Sequence, residues 1–406
     1  MQIEDRRSNR NHILEMLIPF FGVFEPYKIS IIPVTAIILF VIIVSRGRMN
    51  FKITKQTQPY LMFVGYMVLR DVLHMFFSVS DPIGTQFNRL LESVVLYALI
   101  FVACNNDFDE GILFRWWKIA GVIFGVGMLY HVFQLFVLGQ EVYPISVIPG
   151  YDIAHVAGET SLRPTSFFSE PAAYVVSMMP LLFLSLKRKS LKWSALSTFL
   201  IVVSTSTVGV ILSAVLWMVF ILSEKKSLRI SVLYTSFVVL FVALFLYLPV
   251  FSDTLQKLED VSAGESTWGS RVKGPFQMIA AMNWGELPFG TDILDFKEFV
   301  FRNLDKIPVQ SVPYQRVMSG DDAFFNTIAL IIFRYGIVGL FLYLRMFKGK
   351  LFNRRSEFNM YAIMMIVASF GQGSISSPSI PMIVLLLYAN RKVNQDNKEL
   401  ITLKGN

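Results

Sequence analysis

"KRKSLKWSALSTFLIVVSTSTVGVILSAVLWMVFILSEKK", residues 187–226, decides how this chain is to be read. Basic clusters close it at both ends, and the stretch between them is mostly apolar, with its densest run of hydroxyls at Ser204–Thr207. The pattern predicts two helices, 193–204 and 207–223, joined by a Ser204-Thr205-Ser206-Thr207 turn. At 1.5 Å per residue, a helix of about 15 residues reaches roughly 22 Å, short of the ~30 Å hydrocarbon core of a bilayer. The turn is therefore expected below the far surface. Irregular backbone at that depth is tolerated only where it is buried in protein or lines a water-filled cavity. The stretch predicts a short membrane hairpin under an outward-facing cavity.

The rest of the chain agrees with this setting. Of 406 residues 54% are hydrophobic and 16% charged, with a mean hydropathy of +0.54; soluble domains carry roughly 25% charged residues. The composition implies an all-α polytopic integral membrane protein, one membrane domain over residues 1–406. No small-residue cleavage site follows the first apolar run, so no cleavable signal peptide is expected. Cys104 is the single cysteine, which excludes an internal disulfide. The histidines His12, His74, His131 and His155 lack ligand-like spacing, so neither a metal nor a cofactor is expected.

Apolar runs predict helices at 13–24, 29–45, 59–79, 86–104, 116–138, 171–186, 193–204, 207–223, 230–250, 323–344, 358–370 and 377–390, about 12 spans. Most of the 37 Lys and Arg then fall in alternate loops, including Arg46–Lys55, Arg115–Lys118, Lys187–Lys192 and Arg345–Arg355. The positive-inside rule puts that side, and both termini, in the cytoplasm of a multi-pass cytoplasmic-membrane protein. The net charge of +8 is accounted for in this way, and no nucleic-acid partner is called for. Two long segments face outward: a first loop, 139–170, and a large extracytoplasmic loop, 251–322. In the second, acids outnumber bases and turn signals such as "SAGESTWGS" and "LPFGTD" recur. It is expected to lie over the membrane domain as a lid with short helices.

Charges near apolar spans need partners. Arg70 has Asp71 and His74 close by, which suits a structural ion pair. Arg89 has Glu92 one turn away, which suits a surface pair. Arg334 lies about three turns into its helix with no acid within one turn, so its partner must come from another helix or from a ligand. "SLRPTSFFSEPAAYVVSMMP", residues 161–180, ends the first outer loop and enters a helix near Pro171. Glu170 then sits at a positive helix N-terminus, which favours its ionised form. Arg163 reads either as an interfacial snorkelling residue or as a site residue.

"RPTSFFSEPAAY" (163–174) resembles the Arg, Ser, Phe and Glu-Pro segment of bacterial Wzy-type polysaccharide polymerases, which are grouped with O-antigen ligases in one superfamily. "DDAFFNTIALIIFRYGIVGL" (321–340) is similar to that superfamily's Asn-aromatic helix ending in Gly-Ile-x-Gly. "SRVKGPFQMIAAMNWGELPFG" (270–290) resembles its Arg-led helix and Pro-Gly turn, and "VVSTSTVGVI" (202–211) its Ser/Thr-Gly helix pair. Each motif is loose alone, but their order and spacing agree from about 163 to 340. The resemblance implies a GT-C-like fold and a metal-independent glycosyltransfer on the outer membrane face. The growing glycan would leave one polyprenyl diphosphate and join a hydroxyl on the next lipid-linked repeat unit, serving O-antigen, capsule or exopolysaccharide.

That chemistry needs cations for the departing diphosphate and a carboxylate for the acceptor proton. Arginine binds phosphate oxygens in bidentate fashion and keeps its charge when buried. The candidates are Arg163, Arg271 and Arg334, with Lys273 in support, and Glu170, Asp321 or Asp322 as base. Asp321 and Asp322 also suit helix capping, and Glu170 also suits orienting Arg163. The partners implied are polyprenyl-diphosphate-linked oligosaccharides, the bilayer, and a chain-length regulator and flippase of the same pathway. Two other functions compete. Ligases of the superfamily carry a histidine near the end of the large loop, where 251–322 has none and Phe325 precedes Asn326. A flippase-type transporter often has two similar halves, and no internal repeat is found.

Overall fold

The computed structural model describes residues 13–29, 32–45, 53, 57–77, 83–104, 108–148, 163–223, 273–291, 293, 295–318 and 326–346, with short pieces of 364–386. It is 74% helical with almost no strand. Two strands, Lys28–Ile29 and Ile32–Pro33, pair antiparallel behind a 3-10 helix, Ile13–Phe20. The helices that follow are α1 (Val34–Ser45), α2 (Gln58–Phe77), α3 (Ile83–Cys104), α4 (Glu110–Val132) and α5 (Pro171–Lys187). Then come α6 (Leu191–Val203), α7 (Thr207–Ser223), three short helices α8 (Gly274–Ala281), α9 (Phe296–Arg302) and α10 (Val312–Met318), and α11 (Thr327–Arg345).

Two of the described helices are long and apolar enough to cross a membrane: α4 with its π-turn continuation to Val137, and α11. Five further helical stretches are apolar but shorter, α1, α5 and α6 among them. The expected helices at 230–250, 358–370 and 377–390 lie wholly or largely outside the described residues.

Two boundaries differ from the sequence reading for definite reasons. The run at 29–45 yields only α1, because Pro33 offers no N–H and the preceding residues turn back in the strand pair. α4 begins six residues before the expected start at 116, where the Asp109 side chain accepts from the Gly111 and Ile112 N–H groups. Arg115 and Lys118 are therefore in helix rather than loop. The Lys118 ammonium lies 5.1 Å from the Phe114 ring centre and 5.6 Å from that of Trp193, and Arg188 stacks on Phe114 at 5.1 Å. Lys187 pairs with Glu110 at 2.6 Å, so charges at this end of the bundle are held by aromatic faces and one acid.

The described helices pack as two groups. In the first, α4, α6 and α7 surround α5, which is buried along nearly its whole length. α2 packs on α3 and α11, and the short helices lean on α11 through Phe296 and Phe299 against Phe333. The Phe299 and Phe333 rings meet edge-on at 4.8 Å.

Candidate functional site

Arg163 stands at the start of a segment pinned to α4. Thr165 and Ser166 donate their backbone N–H groups to Nδ1 of buried His131, at 3.3 and 3.2 Å. That nitrogen is therefore an acceptor, which fixes the tautomer with the proton on Nε2. Ser166, at φ +57°, donates its hydroxyl to the Phe124 carbonyl at 2.9 Å. Gly127 makes this approach feasible, since a Cβ there would meet the Ser166 hydroxyl and the Phe167 ring. Phe168 then wedges between Phe124 (5.0 Å) and Tyr174 (5.5 Å).

The Arg163 guanidinium donates from Nη2 to the Thr205 carbonyl at 2.9 Å. Thr205 belongs to the turn between α6 and α7, at φ +53°, and Ser204, Thr205 and Ser206 are all buried. The arginine thus satisfies an acceptor that a helix break leaves open inside the protein. Glu170 is the N-cap residue of α5, with Pro171 opening the helix, and its side chain makes no capping bond. The hydroxyls of Thr165 and Tyr174 are buried with no hydrogen-bond partner among the described residues.

Arg334 has a different setting. α11 is broken at Gly336, whose φ of +67° and ψ of −170° only glycine adopts readily. Into the break fits the segment 286–291. Ile337 and Val338 donate to the Leu287 and Pro288 carbonyls at 3.0 and 3.1 Å, and Thr291 donates to the Phe333 carbonyl at 2.8 Å. Gly290, at φ +94°, faces the Arg334 carbonyl so closely that a Cβ would collide with it. From α2, Arg70 donates to the Gly290 carbonyl at 3.3 Å and Tyr66 to the Tyr335 carbonyl at 2.8 Å. The Tyr335 hydroxyl reaches both Asp71 oxygens, at 3.1 and 3.2 Å. Arg70 and Arg334 both attract the Asp71 charge. Arg334 is half-buried, its Nε is sequestered without a hydrogen-bond partner, and among the described residues it closes no ion pair.

The sequence candidates are thus gathered only in part. Arg163 and Glu170 flank one pinned segment; Arg334 lies in the other helix group. Lys273 is exposed at the head of α8, which packs on α11. Arg271, Asp321 and Asp322 lie outside the described residues. The sequence pattern does not mark Asp71, Tyr335 or His131 as site residues. For Asp71 the available signal was its place beside Arg70 within an apolar run. Among the described residues no group of histidine, cysteine and acid could hold a metal ion. No family model, curated protein or solved structure matches this chain.

Proposed function

We propose that the chain is a polysaccharide polymerase of the cytoplasmic membrane, with about 12 spans and both termini inside, acting on polyprenyl-diphosphate-linked repeat units at the outer face. One observation carries the reading: Arg334, a guanidinium within an apolar helix, keeps its Nε buried without a hydrogen-bond partner and, although it attracts the Asp71 charge, closes no ion pair among the described residues. A charge in that position costs about 3 kcal/mol on insertion scales, and an anionic ligand offsets that cost. Arg163, held at the turn between α6 and α7, is the second guanidinium, with Arg271 and Lys273 in support. In the reaction the acceptor hydroxyl oxygen attacks the anomeric carbon of the donor glycan. The bond from that carbon to the diphosphate oxygen breaks, the lipid diphosphate leaves with the electron pair, and the hydroxyl proton passes to a carboxylate. Glu170, Asp321 and Asp322 are the candidates for that base.

The test is chain-length analysis with purified protein and synthetic lipid-linked repeat units in detergent. The wild type should make polymer, and Arg334→Gln and Arg163→Gln should not. Failure of the wild type with its native repeat unit, or normal chains from both variants, would remove the proposal. The break at Gly336 also suits a transporter, since interrupted helices line many transport sites. Polymer formed in detergent, where there are no two compartments, rejects that reading.

A further inference from the structure

The segment 283–291 has an unusual combination of properties for chain outside a helix. Most of its backbone between Glu286 and Thr291 is satisfied within the protein, while Trp284 and Gly285 at its tip are exposed. Glu286 and Leu287 donate to the Asn283 carbonyl, Phe289 and Gly290 to that of Glu286, and Thr291 to Phe333. Pro288 has no N–H to satisfy. The carbonyls of Leu287 and Pro288 accept from α11, and that of Gly290 from Arg70. The Glu286 carboxylate is turned inward as well, accepting from the Asn283 N–H at 2.7 Å and the Thr291 hydroxyl at 3.0 Å. A loop in water has no need of such closure, because water satisfies its groups; a loop in hydrocarbon does.

The side chains that remain point the other way. Trp284 is 90% exposed and Phe289 53%. They flank the residues hydrogen-bonded to Ile337 and Val338, and Ile337 and Phe341 of α11 are themselves exposed. The apolar surface of the segment therefore continues that of a helix long and apolar enough to cross a membrane. A cation marks its edge: Lys306 donates to the Asn283 side chain at 2.6 Å and to the Ala281 carbonyl at 3.3 Å, while itself exposed. Tryptophan beside lysine is the usual composition at the boundary between headgroups and acyl chains.

We infer that residues 283–289 form a wedge inserted into the bilayer interface, with Trp284 and Phe289 among the acyl chains and Lys306 at the level of the lipid phosphates. The wedge touches the break in α11, so Arg334 lies where a diphosphate at the membrane surface can approach sideways from the lipid. The inference rests on reading α11 as a membrane span, and one experiment separates the two. Nitroxide labels are placed singly at positions 284, 289, 305 and 341 of the full chain carrying Cys104→Ser, reconstituted in nanodiscs of phosphatidylcholine and phosphatidylglycerol. Collision with oxygen is compared with collision with a water-soluble nickel chelate. Positions 284, 289 and 341 should favour oxygen several-fold, and 305, an exposed aspartate, should favour nickel. Nickel preference at 284 and 289 with oxygen preference at 341 overturns the wedge alone. Nickel preference at all four overturns both readings. If labelling disturbs the fold, the fluorescence lost on Trp284→Phe supplies the same measurement. That component should be quenched by brominated lipid, and quenching by aqueous iodide instead rejects the wedge.

Discussion

Arg334 and Tyr335 are adjacent and predict opposite consequences when changed. Tyr335 ties α11 to α2 through both oxygens of Asp71, and a hydrogen bond to a charged group contributes about 1.5–3 kcal/mol, somewhat less between membrane helices. Tyr335→Phe should therefore lower stability by about 1–2 kcal/mol, read by unfolding in mixed micelles. Arg334 makes no such tie. Arg334→Met should change stability by no more than about 1 kcal/mol, because Arg334 is half-buried, closes no ion pair among the described residues, and leaves the Asp71 carboxylate its Tyr335 hydrogen bonds and the Arg70 charge. Polymer formation should nonetheless fall by about 100-fold or more, the scale seen when a group stabilising developing charge is removed. A variant that lost stability and activity in parallel would identify Arg334 as a structural residue.

Among the elements, the break in α11 is the most sensitive point. Gly336→Ala would place a Cβ against the Pro288 carbonyl in a backbone conformation reserved for glycine, at an expected loss of about 2 kcal/mol or more. A thermal unfolding midpoint equal to the wild type would show that the break is not obligatory. The sequence reveals α5, α6 and α7 to within two residues, because Glu170-Pro171 marks one start and the hydroxyl-rich turn separates the next two. It does not reveal the break. "RYGIVGL" reads as continuous helix, and its two glycines in an apolar run are compatible with that; the kink exists because Leu287 and Pro288, some fifty residues earlier, supply the acceptors. Similarly, Arg163 and Glu170 are legible as charges at a helix entrance. The Thr205 carbonyl that receives Arg163 is a backbone atom with no signature in a side-chain pattern.

At the scale of the molecule, the two helix groups assign the candidate arginines to different parts of the bundle, Arg163 with α4–α7 and Arg334 with α2 and α11. The charge pattern predicts how both are oriented. Single cysteines at 48 and 189 should be labelled by a membrane-impermeant maleimide only after the inner face is opened, and one at 143 in intact spheroplasts. Labelling of 48 and 143 from the same side would reject the twelve-span arrangement. His131 bears on this scale too, because from the last turn of α4 it holds the 163–168 segment. His131→Phe should loosen that segment, read as protease cleavage near residue 163, while His131→Asn, which keeps a short acceptor, should resist better.

The interlocking of segment 283–291 with α11 also sets an order of manufacture. The acceptors at Leu287 and Pro288 leave the ribosome well before the donors at Ile337 and Val338 exist. Until residue 338 emerges, the earlier segment has polar groups without their final partners and must wait in water or in the insertion machinery. The maturing chain is thus closed by its later helix, and a nascent chain stalled before residue 326 should expose residues 283–291 to proteolysis that the finished protein resists.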